Sequence, residues 1–383
     1  MSSWSSVARK LGFGVLVCVV WVASRSAGLA VQDLGHAVVA SGGGVGHPGD
    51  KRIVFDDSQA VVDIGIQPLW LPIGIITEVM KRDGILQEAL RQSGAVVRFH
   101  PFLKGADLNL QLRDGKLEGG FGGDMPTITA CVTDQVRVVA LADLYFSAIV
   151  ARRSLLLTDL RGRRIGYAHG SNAHHALLTA LAAVGLSEAE VTLVPMEVNA
   201  MPQALEQGTL DAFSAWEPTP TLAVSRYGHT IIHRVLSSGY LYFTRAFAEN
   251  HPDRLALLVA AEARALNWLE RSEDHLAQAV GWWEEAAGRM GMPDVEPFRH
   301  EIIRLAHGSL RHLWIMPVIP LEDLTEDGRI GRATRFLRSL GKVPSDLSWE
   351  TVRSCFRREV GEAILSAPVS NRLDVFSCGE PVE

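Results

Sequence analysis

Only four of the 383 residues are cysteine, and no two stand in a Cys-x-x-Cys spacing. That absence excludes a zinc ribbon and a dithiol redox centre of the usual kind. No His-Glu-x-x-His pair offers a metal to one helix face, no Gly-x-Ser-x-Gly presents a serine nucleophile, and no Gly-x-x-x-x-Gly-Lys-Ser/Thr loop cradles a triphosphate. Basic charge is not in excess either. Lys and Arg number 37 against 43 Asp and Glu, for a formal net charge of −6. Nucleic acids need a basic face to displace their counterions, so they are excluded as partners. The chain is therefore expected to carry no catalytic residues, no resident metal and no cofactor.

Long apolar runs are scarce as well. The longest at the N-terminus, residues 11–23, follows Arg9 and Lys10 and is uncharged. It is shorter than the roughly 20 residues that span a bilayer. Small residues follow it, and Gly28-Leu29-Ala30 fits a small-x-small cleavage site. Residues 1–30 thus read as an export signal. A lipid anchor at Cys18 is disfavoured by Val17, where a small residue is wanted. Removing the segment takes away Arg9, Lys10 and Arg25 and no acid, moving the formal net charge from −6 to −9. Cys131, Cys355 and Cys378 then remain. Cys131 lies in an apolar helical stretch and reads as a buried thiol. Cys355 and Cys378 are candidates to pair in an oxidising compartment.

What is present is alternation. Residues 31–51 form a linker, with SGGGVGHPGD at 41–50. Its Gly44-x-Gly46-x-x-Gly49 match is rejected as a dinucleotide loop, because no strand leads into it and no helix follows. Strands are expected at 60–67, 95–99, 117–122, 136–141, 145–151, 164–167, 191–194 and 211–215. Helices are expected at 72–93, 106–113, from 126, at 174–184 and at 201–207. This is an α/β pattern with mostly parallel strands. It runs twice: a helix, a glycine stop and a strand at 107–121 recur at 202–213. Beyond Tyr240 the chain turns helical, at 254–271, 272–290, 296–307 and 321–340, with breaks at Gly291, Pro293 and Pro317.

Four strand ends carry polar or aromatic residues. They are Gln67-Pro68-Leu69-Trp70, Gly123-Asp124-Met125-Pro126, Gly170-Ser171-Asn172-Ala173-His174 and Trp216-Glu217-Pro218. Ligands of open α/β sheets bind outside the carboxyl ends of the strands, so these four ends read as one cleft. The Gly170 stretch opens a helix with Leu177, Leu178, Leu181 and Val184 along it. Free N–H groups and the helix dipole at such a mouth hold an anion, although a plain Ser or Asn cap has the same sequence. His174 and His175 point about 100° apart on a helix and cannot share a metal. One is expected to face solvent and the other to reach the cleft.

In order and spacing these motifs resemble the periplasmic solute-binding proteins of ABC importers, in the aliphatic-sulfonate, taurine and nitrate group. Asp159-Leu160-Arg161-Gly162-Arg163-Arg164-Ile165-Gly166 and Leu210-Asp211-Ala212-Phe213-Ser214-Ala215 before Trp216 belong to the same likeness, which spans residues 60–345. The resemblance implies the two-lobed type II architecture with a ligand cleft between lobes. Lobe I would be 52–146 plus 240–345 and lobe II 147–239, with a hinge near Phe146 and Gly239 and a tail at 346–383. It implies a small solute as ligand, a membrane permease with its ATPase as partner, and a monomer. The implied ligand residues are Gln67, Trp70, Asp124, Met125, Pro126, Gly170, Ser171, Asn172, Ala173, His174, Trp216, Glu217 and Tyr240. Asp124 and Glu217 would repel a bare anion. With Trp70, Tyr145, Trp216 and Tyr240 they would instead box an amine. Sulfonate and amine-bearing solutes both stand at this point. A sensor that presents its closed form to a receptor is an alternative. A thiamine-pathway pyrimidine synthase is another, but the chain lacks that enzyme's cysteine-rich motif.

Overall fold

Strand Ala60–Ile66 (β1) alternates as a buried strand should, with Val62, Ile64 and Ile66 turned into the core. The computed structural model describes residues 60–133, 135–315 and 318–382. The export signal, Cys18, the linker and its glycine match lie outside the described residues. After β1 come helices Ile73–Lys81 (α1) and Gly84–Gln92 (α2), strand Ala95–Pro101 (β2) and helix Gly105–Arg113 (α3). Strand Gly119–Gly123 (β3), helix Asp124–Cys131 (α4) and the 16-residue strand Val136–Ala151 (β4) follow. Then come Arg164–Tyr167 (β5), Asn172–Ala183 (α5), Thr192–Pro195 (β6), Met201–Glu206 (α6), Ala212–Trp216 (β7), Thr219–Tyr227 (α7) and Thr230–Thr244 (β8). The helical remainder is Arg245–Asn250 (α8), Pro252–Glu270 (α9), Glu273–Arg289 (α10), Arg299–Ile315 (α11), Arg329–Ser339 (α12), Trp349–Cys355 (α13) and Arg358–Ser366 (α14).

The described strands form one eight-stranded sheet in the order β2-β1-β3-β8-β4-β7-β5-β6. Its two ends repeat each other. Each end is a parallel trio with its first strand in the middle, β2-β1-β3 at one edge and β6-β5-β7 at the other. The doubled pattern read in the sequence is this repeat, since α3–β3 and α6–β7 occupy equivalent places. Between the trios β4 and β8 run antiparallel along nearly their whole lengths. A large apolar core surrounds the first trio, and a smaller one, with Leu177 and Leu181 of α5 on Ile165 and Ala212, serves the second. Burying a side chain of that size contributes about 1.5–3 kcal/mol.

Several expectations need correction. The helix expected at 72–93 is broken, because Asp83 leaves the helix and caps α2, accepting from the N–H groups of Ile85 and Leu86. The same fully buried carboxylate meets Arg264 at 2.7 Å. The strands expected at 136–141 and 145–151 are one strand, bent by register shifts around Ala140 and Asp143. The helix from 126 starts at Asp124, two residues earlier. Helix α7 and strand β8 were not expected at all; the Ser237-Ser238-Gly239 run in β8 has the look of a loop. Cys131, Cys355 and Cys378 are all thiols. Cys355 is buried with its Sγ 3.9 Å from the Cys131 carbonyl, while Cys378 is exposed in the tail, so the pairing that the sequence left open is not made.

The tail packs on β4, α9 and the break between α1 and α2. Phe356 bridges to Val138, and the Arg357 N–H donates to the Val138 carbonyl at 2.7 Å. Arg264 and Asn267 of α9 donate to the Asn371 and Leu373 carbonyls. The Gly379 N–H then reaches the Arg82 carbonyl, beside the Asp83 break. Among the described residues no helix is long and apolar enough to cross a membrane.

Candidate ligand-binding site

The internal repeat pairs the four strand ends. The β1–α1 loop at Gln67 corresponds to the β5–α5 loop at Gly170, and the β3–α4 junction at Asp124 to the β7–α7 junction at Glu217. The two trios therefore present matching helix mouths to each other across β4 and β8.

The mouth of α5 is built for close approach. Gly170 has φ +72°, a left-handed conformation that glycine adopts without strain. Ser171 caps the helix, accepting from the His174 N–H and donating to the Ala168 carbonyl. The Asn172 and Ala173 N–H groups occupy the first helical turn, where no intrahelical acceptor exists. His174 is fully buried, and burial first, then the neighbouring His169, pushes its pKa down to about 3. Its Nδ1 accepts from the Gly170 N–H at 3.2 Å. The ring is neutral with its proton on Nε2, and that buried donor has no partner.

The mouth of α4 meets it directly. A Cβ at Gly123 would stand 2.7 Å from the Asn172 Cβ. Next to this contact His175 Nδ1 lies 3.1 Å from the Asp124 carboxylate. Burial works against the charged imidazole, but the charge and hydrogen bond of Asp124 outweigh it and raise the His175 pKa. Further contacts join the two trios. A Cβ at Gly170 would lie 3.0 Å from Ala106, and Lys104 bonds Glu197 at 2.8 Å. The Leu71 N–H donates to the Glu217 carbonyl, and Trp216 Nε1 to the Leu69 carbonyl. These contacts join the strand ends of the two trios directly.

The remaining acids are engaged or neutralised. Glu217 accepts from the Thr221 N–H at 3.2 Å, and burial pushes its pKa up to about 7. Asp143 accepts from Trp70 Nε1, and burial drives its pKa well above the usual carboxylate range. Tyr240 is fully buried, edge-on to Phe356, with Ser238 beside it. The Tyr240 and Ser238 hydroxyls and one Asp143 oxygen lack a well-formed partner. Buried polar groups are normally satisfied, so such a concentration marks a place where something else supplies partners.

Comparison with known proteins points the same way. The NMT1-like family profile matches residues 130–282. A Bacillus subtilis (strain 168) protein named as an aliphatic sulfonates-binding protein is 27% identical over 259 residues, covering 65% of this chain and 74% of its own. The taurine-binding periplasmic protein of Escherichia coli (strain K12) is 24% identical over 276 residues, covering 67% and 81%. The chain is similar to these solute-binding proteins over about two thirds of its length. The crystal structure of the periplasmic aliphatic sulphonate binding protein of Escherichia coli shares the fold. Its TM-score is 0.58 at 20% identity, over 77% of this chain and 92% of that one. The named relatives are binding proteins, and the reading of this chain as a non-enzyme stands with them.

The expected residues divide. Asp124, Met125, Pro126, Gly170, Ser171, Asn172, Ala173 and His174 come together at the paired mouths of α4 and α5. Gln67 donates to the Phe121 carbonyl at 2.6 Å, on the same side as Pro126. Trp70 and Trp216 spend their N–H groups on Asp143 and the Leu69 carbonyl. Tyr145 stands apart, half-buried against Phe146 and His312 of α11. Trp70 also packs on Gly239, the neighbour of Tyr240, and Trp216 bonds to the residue before Trp70. Neither histidine faces solvent: His174 is inaccessible and the His175 side chain is 13% exposed. Sequence reasoning missed the Asp124–His175 pair, Lys104, Asp143 and Ser238. Asp143 did carry a signal, as a lone acid inside the apolar run of β4.

Proposed function

We propose that the chain is the extracytoplasmic receptor of an importer and closes on a small sulfonate-like anion. The carrying observation is the meeting of the α4 and α5 mouths, where Asn172 packs on Gly123 and His175 balances the charge of Asp124. With Asp124 paired, Glu217 pushed up to about 7 by burial and Asp143 favouring its protonated form, the obstacle to an anion is reduced. The neutral donors of Asn172, Ala173, His174 Nε2 and Tyr240 stay available. The names of the sulfonate- and taurine-binding relatives support the same solute class. The lobes of this reading are 52–146 with 240–345, and 147–239, moving about β4 and β8 near Phe146 and Gly239. A monomer exported by its N-terminal signal presents the closed form to a membrane permease and its ATPase. Calorimetric titration of protein unfolded and refolded free of carried ligand tests this. Ethanesulfonate and taurine bind, and small alkylamines do not; binding of amines alone overturns the reading.

The Asp124–His175 pair adds a pH dependence. Its partner raises the His175 pKa in the closed form above the ordinary value of 6.5. That contribution to closure is fully present below 6.5 and is lost as pH rises through the raised value. Solute affinity should fall over that window, by about tenfold for each unit of pKa that closure adds. His175→Gln should flatten the profile, and an unchanged profile in that variant removes His175 from the closing mechanism.

A further inference from the structure

A second cavity, of about 300 Å³, opens between α6, α7 and the connection from α10 to α11. That is the lower end of the size at which pockets take small organic molecules. Its apolar wall includes Leu222 and Met292, both buried. Thr219, at the start of α7, is 2% exposed, lines the cavity and carries a hydroxyl with no partner. Arg226 stands on the same lining. Its guanidinium lies 5.5 Å over the Phe298 ring and donates to the Asp294 carbonyl, which fixes it in place while most of its donors stay free. The amides of Asn199 and Gln203 and the side chain of Tyr227 add to the polar part, and among the described residues no carboxylate lines the cavity. A fixed cation, a buried hydroxyl and neutral amides around an apolar floor match one chemistry.

We propose that this cavity is a second ligand site, for a small organic anion with an apolar body. Its polar head would sit at Arg226 and Thr219 and its body against Leu222 and Met292. The walls come from both parts of the chain that close on each other: α6 and α7 on one side, the α10–α11 connection on the other. Asn199 already donates across that junction to the Gly291 carbonyl at 3.2 Å. An occupant therefore favours the closed form. Both that last point and the joining of the two walls rest on the closure proposed above.

The test is calorimetric titration of the full mature chain with naphthalene-2-sulfonate, in the presence of saturating ethanesulfonate. Binding should persist under saturation. Arg226→Ala and, separately, Thr219→Val should weaken it at least tenfold, Arg226→Lys should restore part of it, and ethanesulfonate affinity should be unchanged in all three. Full competition by ethanesulfonate, or unaltered naphthalene-2-sulfonate binding in both the Arg226→Ala and Thr219→Val variants, overturns the proposal. Failure of ethanesulfonate itself to bind strikes the sulfonate reading of the main cleft and leaves the Arg226 comparison intact.

Discussion

Gly123→Val should abolish most solute binding while leaving the unliganded protein folded. The backbone at Gly123 is extended, at φ −68° and ψ −179°, so valine meets no conformational barrier there. What it meets is Asn172, 2.7 Å from the new Cβ before the two γ-methyl groups are added. Overpacking of this kind costs about 1–3 kcal/mol. Under the proposed closure the cost falls on the closed form, since closure is what would bring the α5 mouth onto α4. Affinity for ethanesulfonate should drop by about ten- to a hundredfold. The melting temperature without ligand should stay near that of the parent, and the stabilisation by ligand should shrink. Wild-type affinity in this variant would mean that the α4 and α5 mouths do not meet around the solute.

The second large effect concerns stability. Glu262 on α9 is 3% exposed, borders a cavity of about 90 Å³ beneath α14, and has one oxygen without a partner. Burial alone pushes its pKa up to about 8. In the unfolded chain the group titrates at its ordinary value near 4.5. Between those values the folded protein holds a proton that the unfolded chain has released. Stability therefore falls as pH rises through this window, and the full penalty stands above pH 8. The penalty amounts to roughly 3–5 kcal/mol at most, from about 1.4 kcal/mol per unit. Glu262→Gln, uncharged at every pH, should match the parent near pH 4.5 and exceed it by several kcal/mol at pH 8.5. Chemical denaturation at the two pH values reads this directly; equal slopes in parent and variant would show that Glu262 is ionised in the fold.

Much of the architecture was legible because it repeats. A helix, a glycine stop and a strand leading to a polar mouth occur in both halves, and the sheet order reproduces that symmetry on either side of β4 and β8. Local rules failed where a tertiary contact overrode them. Asp83-Gly84 breaks a continuous apolar periodicity because the buried guanidinium of Arg264 needs the Asp83 carboxylate. Strand β8 holds Ser237, Ser238 and Gly239 in its middle, and long pairing with β4 keeps them extended. The mouths of α4 and α5 were legible as separate motifs, through their glycines and caps. Their facing was not, since Asp124 and His175 are 51 positions apart and nothing local joins them. The charge of Asp124, which argued for an amine when taken alone, has a different meaning beside an imidazole.

The measurement that tests the central claim most directly is a crystal structure of the mature protein with ethanesulfonate. The account predicts sulfonate oxygens about 2.7–3.2 Å from the N–H groups of Asn172 and Ala173, with Asp124 and His175 still paired beside them. A sulfonate bound elsewhere, with the α5 mouth filled only by solvent, would contradict it.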